Sequence, residues 1–257
     1  SPELCFAIGR AAGAYLIRNG LPSQVVLGRD TRKSGPMLGA ALASGYCSVG
    51  VDVVALGVVP TGCVSLLTRT GEYGMGAVIS ASHNPAPDNG VKLIANDGRK
   101  LPSEAEALVE RWALEGVEER PSGPSVGNLR NDRGEVERYL QFLLGLVPER
   151  LEGLAVLVDA SHGAAYELGP EVLHRLGAEV ATIGCSPDGI NINTEGGATK
   201  PHVLQELCAK KKPTVGIAFD GDADRAVFSD AQGRLINGDR TMAIWSHHWK
   251  QRLDPAK

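Results

Sequence analysis

The chain has 257 residues, 43% of them hydrophobic and 22% charged, with a formal net charge of −4. That mildly acidic balance argues against a nucleic-acid binder, which carries a basic face, and leaves phosphorylated small molecules open, because a few local cations suffice for those. Cys5, Cys47, Cys63, Cys185 and Cys208 are scattered without a C-x-x-C pair, against a zinc site or a disulfide framework, and no run reaches the apolar length of a membrane span, so the expectation is a cytoplasmic protein.

The chain opens without methionine, already in a helical pattern. Ser1 suits the cap, Pro2 the first helical position, and Leu4, Ile8, Ala12 and Tyr15 fall on one face. Short β-branched runs then alternate with amphipathic stretches. Strands are predicted at 24–27, 51–56 and 76–81, and helices at 37–49, 64–70 and 103–115. Residues 116–132 are rich in Gly, Pro and Ser and read as a loop, followed by a helix over 135–146 and a linker, Val147-Pro148-Glu149-Arg150. A second unit follows the same rhythm. It has strands at 155–158, 180–183 and 215–219, helices at 164–176 (closed by Gly177) and 202–212, a hairpin of 226–229 with 234–236, and a last helix over 241–252. The predicted fold is α/β: two consecutive domains, 1–147 and 151–257, with mixed, mostly parallel sheets covered by helices. The abrupt start, and the stop just after a helix at Pro255, predict a fragment of a longer chain.

Two stretches carry chemistry. Ile79-Ser80-Ala81-Ser82-His83-Asn84-Pro85 sits where an apolar strand runs out into a loop whose path is fixed by Pro85, Pro87 and Asn89-Gly90, so Ser82 is presented rigidly. A serine hydroxyl is a weak nucleophile unless a base or metal assists it. Adjacent residues of an extended chain point to opposite faces, which argues against a Ser82–His83 pair. Taken alone, the stretch also reads as a plain turn.

The second is Phe219-Asp220-Gly221-Asp222-Ala223-Asp224-Arg225, directly after a very apolar strand. Three carboxylates so close repel one another, and a hard divalent cation, Mg²⁺ or Ca²⁺, resolves the repulsion. Gly221 and Ala223 leave room for a close ligand, and Arg225 adds a forked cation suited to phosphate. An EF-hand is excluded, because its glycine and glutamate positions would fall on Arg225 and Ala231. A solvated acidic turn fits poorly with the apolar strand feeding it. Together the two stretches suggest phosphoryl transfer, a phosphoserine completing the oxygen ligands of the metal.

With these residues in order, the sequence resembles the α-D-phosphohexomutase family nearly end to end. The matching segments are 28–35, Val59-Pro60-Thr61, the Ser82 loop, Asp88-Asn89-Gly90-Val91-Lys92, 184–193, Gly197-Ala198-Thr199 and the aspartate loop. The segments in the second half are similar to the family's glucosamine branch. The resemblance implies that Ser82 carries the transferable phosphoryl group and gives it to a sugar monophosphate, and that the bisphosphorylated sugar reorients and returns the other phosphoryl. It also implies that Asp220, Asp222 and Asp224, with a Ser82 phosphate oxygen, hold Mg²⁺. Lys92 is implied in proton transfer or charge stabilisation, and His83, Asn84 and Arg225 in phosphate or substrate contact. The implied net reaction interconverts glucosamine 6-phosphate and glucosamine 1-phosphate, with phosphomannomutase or phosphoglucomutase as alternatives. Family members also have a short upstream segment and two further domains that grip the sugar and its second phosphate. The partners implied are thus a small-molecule sugar phosphate and the remaining domains of the same polypeptide, and the 257 residues alone are expected to turn over little substrate. Gly62 stands where the family has a second proline, and Ala223 where relatives have glycine.

Two other readings stay open. A haloacid-dehalogenase-type phosphatase would use Asp220 as nucleophile, although Asp224 departs from that pattern. A non-catalytic sugar-phosphate binder descended from mutases is the other.

Overall fold

A computed structural model describes residues 1–147 and 149–253. The Pro148 of the expected linker and the terminal residues, Pro255 included, lie outside the described residues.

The first helix, α1 (Pro2–Arg18), is capped by the Ser1 side chain, which accepts from the Leu4 amide. Its inward face matches the predicted one in part: Ala12 is buried and Ile8 and Tyr15 pack half-buried against the core, but Leu4 is 48% exposed, and small residues such as Gly9, Ala11 and Gly13 are buried beside Cys5 and Leu16. The reason is the crossing with α2 (Gly35–Cys47). A Cβ on Gly9 would lie 2.2 Å from the Leu42 carbonyl oxygen, so the two backbones touch and the interface selects small residues over large apolar ones.

Strands β1 (Gln24–Arg29), β2 (Asp52–Val58) and β3 (Met75–Ile79) are parallel, joined through α2 and α3 (Thr61–Thr70). Two strands absent from the sequence reading flank them. β4 (Val91–Ala95) pairs antiparallel with β3, and β5 (Leu129–Asn131) adds parallel to β2 within the stretch read as a loop. Both are short, and all three residues of β5 are exposed, so neither carries the alternating pattern that marks a half-buried strand. The sheet order is β4-β3-β1-β2-β5. Alternation along β1 splits the core. Val25 and Leu27 pack with α1, α2 and α4 (Ser103–Glu115), while Val26 packs with α3 and α5 (Arg133–Leu146) on the opposite face.

The second sheet holds β6 (Ala155–Asp159), β7 (Glu179–Ile183), β8 (Val215–Phe219), β9 (Ala226–Asp230) and β10 (Leu235–Ile236), in the order β10-β9-β8-β6-β7. β6, β7 and β8 are parallel, connected through α6 (Leu168–Arg175) and α7 (His202–Lys211), and β9 turns back antiparallel. The helix predicted from 164 begins only at Leu168; the turns before it bond within their own unit, the Ala164 amide donating to the Gly221 carbonyl (2.8 Å) and the Tyr166 amide to the Gly163 carbonyl (3.1 Å). α8 (Gly238–Leu253) ends the described chain. Two α/β units with mixed, mostly parallel sheets are therefore present, as the sequence predicted. None of the helices among the described residues is long and apolar enough to cross a membrane.

The C-terminal ends of the two sheets face each other. The Thr31 hydroxyl donates to the His162 carbonyl (2.5 Å), the Lys33 amide to the Gly189 carbonyl (2.8 Å), and the Thr61 amide to the Asp222 carbonyl (3.0 Å). Loops beyond the carboxyl ends of parallel strands are where α/β sheets place their ligands, and here two such rims share one seam.

Candidate active site at the seam between the sheets

Ser82 lies three residues beyond β3, in the left-handed region at φ 49°. Such a conformation costs a non-glycine residue on the order of 1–3 kcal/mol and persists only where its surroundings hold it. Its amide donates to Ser80 Oγ (3.0 Å), and that hydroxyl donates to Asp30 Oδ2 (2.6 Å). Asp30, just past β1, is fully buried and pairs with the fully buried Arg32, Nε to Oδ2 at 2.9 Å.

The aspartate loop meets Ser82 from the second sheet. Asp220 is completely buried. Its Oδ1 accepts from the Arg225 amide (3.0 Å), and its Oδ2 accepts from Ser82 Oγ (2.9 Å) and Arg225 Nε (3.2 Å). Asp222 is equally buried, and its Oδ2 accepts from Thr61 Oγ1 and Lys92 Nζ, both at 2.5 Å. Its Oδ1 is buried without a hydrogen-bond partner. Asp224 is 41% exposed, with Lys92 Nζ 3.5 Å away.

The protonation pattern follows from this packing. Burial opposes charge on Asp222, but hydrogen bonds from Lys92 and Thr61 and the Lys92 charge outweigh it and hold the carboxyl below the ordinary range. Burial likewise opposes the Lys92 ammonium, and its bonds to Asp222 and the charge of Asp224 overcome that and raise it. Asp224 is pushed up by burial and then by repulsion from Asp222 and Asp220.

One oxygen from each of Asp220, Asp222 and Asp224 falls within a 4.8 Å cluster. An orphaned, buried carboxylate oxygen beside two further carboxylates is a donor set that suits a hard divalent cation and would be costly to leave bare. The residues present therefore fit a metal, with Ser82 Oγ at its edge.

Every residue singled out in the sequence gathers here. Arg225 Nη2 touches both Ser82 Oγ (3.2 Å) and His83 Nδ1 (2.5 Å), so the imidazole faces the arginine and not the serine. The loop is a turn, not an extended strand, so the reason for doubting a Ser82–His83 pair differs from the sequence argument. Asn84 contributes its backbone carbonyl, which accepts from Arg32 and Asn193. The role expected of Gly221 needs correction: a Cβ there would stand 2.4 Å from the Ser82 carbonyl oxygen, so the missing side chain makes room for the serine loop and not for a ligand. Thr61, Arg32 and Asn193 were missed as members of the site, because each acts through a contact with a residue far away in sequence. Beside Thr61, Lys92 and Asp224 a cavity of about 640 Å³ opens and runs along β4 to Lys100 and Val109. Its size is that of a small-molecule site.

Fold and site together define a two-domain α/β protein with a hydroxyl and a carboxylate cluster meeting across its seam. Residues 1–119 match phosphoglucomutase/phosphomannomutase alpha/beta/alpha domain I, and residues 137–233 match domain II. The chain belongs to this phosphohexomutase family. It is 47% identical to a phosphoglucosamine mutase of Desulforudis audaxviator over 98% of its own length and 56% of that protein's. It is 49% identical to one of Symbiobacterium thermophilum over 98% of its length and 57% of that protein's. A phosphoglucomutase/phosphomannomutase family protein of Burkholderia thailandensis superposes with a TM-score of 0.86 at 28% identity, covering 98% of this chain and 56% of that one. The chain thus spans about half the length of the relatives it matches.

Proposed function

We propose that the chain is the phosphoserine- and metal-bearing half of a phosphoglucosamine mutase, acting on glucosamine phosphates in the cytoplasm, with units 1–147 and 151–257 as its first two domains. The observation that carries this reading is the 2.9 Å hydrogen bond from Ser82 Oγ to Asp220, inside the cluster of Asp220, Asp222 and Asp224. The choice of hexosamine over other hexoses rests on the relatives, which are phosphoglucosamine mutases.

In this reading Asp220, Asp222 and Asp224 hold Mg²⁺, which when bound draws charge from the phosphoryl oxygens on Ser82. Phosphoserine 82 gives its phosphoryl to a free hydroxyl of the sugar monophosphate: the bond from phosphorus to Ser82 Oγ breaks, a bond to the sugar oxygen forms, and the hydroxyl proton leaves as the serine oxygen takes one up. After reorientation of the bisphosphate the same steps run in reverse. Arg225, already bonded to Ser82 Oγ, is placed to hold the transferring group, and Lys92, held as an ammonium by Asp222 and Asp224, to balance its charge. His83 and Asn84 border the path of the phosphate. The sugar and its second phosphate are gripped by the remaining half of the relatives' length, so the chain alone turns over little hexosamine phosphate.

The test is intact mass with site mapping before and after exposure to glucosamine 1,6-bisphosphate and Mg²⁺. Phosphate on Ser82, absent from Ser82→Ala, is expected. Phosphate on Asp220, or none at all, sinks the reading. The phosphatase alternative is not favoured, because both Asp220 oxygens are buried and already bonded.

A further inference from the structure

The Ser82 loop is held by an arrangement that the chemistry at its hydroxyl does not use. Arg32 is fully buried and spends both terminal nitrogens of its guanidinium on the loop. Nε goes to Asp30, Nη1 to the carbonyls of Pro85 and Asp88 (2.9 Å for the latter), and Nη2 to those of Ser82 (3.1 Å) and Asn84 (2.8 Å). A planar fork so saturated leaves the loop one path. The second sheet adds its own hold on the same carbonyls: Asn193 Nδ2 donates to Ser82 (2.8 Å) and Asn84 (3.1 Å). Asn193 itself sits at φ 60°, in the left-handed region, its amide bonded to the Ser161 carbonyl (2.9 Å) and its own carbonyl accepting from Lys200 Nζ (3.3 Å). Nearly buried, it faces no solvent that could replace those bonds.

We propose that Asn193 is a positioning residue which, with Arg32, clamps the Ser82 backbone between the domains, so that the hydroxyl is aimed at the carboxylate cluster only when the seam is closed. This rests on the phosphoserine reading given above. Arg32 sets the loop within its own domain, and Asn193 makes that setting depend on the other one. Loss of the amide donor frees the Ser82 and Asn84 carbonyls on one side and relaxes the left-handed serine, misplacing Oγ without removing a metal ligand or a phosphate contact.

The experiment compares the unaltered chain with Asn193→Ala and with the isosteric Asn193→Asp, which keeps the shape and removes the donor. Phosphoryl uptake on Ser82 from glucosamine 1,6-bisphosphate is followed by mass at several bisphosphate concentrations, Mg²⁺ affinity by calorimetry, and backbone hydrogen exchange at residues 82–84 by mass spectrometry. Misplacement of a reacting group by about 1 Å can cost about 100-fold. The maximal uptake rate should fall about 10–100-fold, with half-saturation and Mg²⁺ affinity within about threefold, and exchange at 82–84 should quicken while the rest of the seam stays protected. An unchanged maximal rate, or a parallel loss of rate, half-saturation and Mg²⁺ affinity, overturns the clamp. If the unaltered chain takes no phosphate on Ser82, the functional reading fails. Exchange then decides the clamp: faster exchange confined to 82–84 supports it, and unchanged exchange overturns it.

Discussion

The two halves of the molecule run through one plan twice. β1-α2-β2-α3-β3-β4 and β6-α6-β7-α7-β8-β9 place three parallel strands and one antiparallel strand in the same spatial order. A buried aspartate stands at the end of the first strand of each, Asp30 just past β1 and Asp159 as the last residue of β6, and each bonds the amide two residues on, that of Arg32 and of Ser161, at 2.9 Å. The loops of the candidate site leave from the equivalent third strands, Ser82 three residues past β3 and Asp222 three residues past β8. What differs is the chemistry hung on those positions. One sheet presents a hydroxyl braced by an arginine, the other a set of carboxylates. Facing the rims toward each other turns one scaffold used twice into a site that neither half holds alone.

That division can be broken most sharply at the two loops. Ser82→Ala should abolish phosphoryl acceptance while Mg²⁺ affinity, read by calorimetry, stays within about threefold, because the carboxylates remain. Asp222→Ala should do the reverse, weakening Mg²⁺ by about 100-fold or more, since one of few anionic ligands and the orphaned oxygen are lost. Comparable effects of both on Mg²⁺ would mean the roles are not divided.

The equivalent aspartates sharpen the comparison. Asp30→Asn leaves the buried Arg32 guanidinium without its counter-charge and should lower unfolding stability by about 3–5 kcal/mol in urea titrations. Asp159 has no such partner. Gly221→Ala is expected to cost about 1–3 kcal/mol, because its new methyl meets the Ser82 carbonyl and one backbone must shift. It should register as a weakened seam, with faster hydrogen exchange at both loops and intact exchange in the sheets.

Asp159→Asn should have the smallest effect, about 1 kcal/mol, and a pH signature. Burial raises the Asp159 carboxyl, which the amides of Gly197 and Ser161 and the charge of His162 only partly offset. A group raised in the folded state binds its proton more readily there than in the unfolded chain. Its contribution to stability is therefore full below the unfolded value of about 3.9 and is lost as pH rises through the native one. The stability of the unaltered chain relative to Asp159→Asn should rise as pH falls across that window. A flat difference would mean that Asp159 is not strained by its burial.

Much of this was readable in one dimension. The β-branched runs at 24–27 and 215–219 and the helix over 103–115 carry their period in the residues themselves, so the α/β rhythm and two-unit plan were legible. So were Ser82 and the three aspartates, since a polar cluster at the exit of an apolar strand is a local signal. The strands β4 and β5 escaped, because edge strands need no strong alternation, and with β4 went the reason Lys92 reaches Asp222. The inward face of α1 was legible only in part: Ile8, Ala12 and Tyr15 do pack on the core, but the burial of Gly9 depends on Leu42, a residue on another helix.

The sequence by itself thus determined which segments become strands and helices, and which residues carry charge and nucleophilic oxygen, because those properties belong to the residue and its near neighbours. Only the tertiary structure decided that the two rims face each other, that Arg32 and Asn193 grip the serine loop, and that Gly221 yields its space to the Ser82 carbonyl. Those are contacts between residues up to 161 positions apart, Thr61 and Asp222 among them. They exist only once both cores have formed and brought the strand ends together.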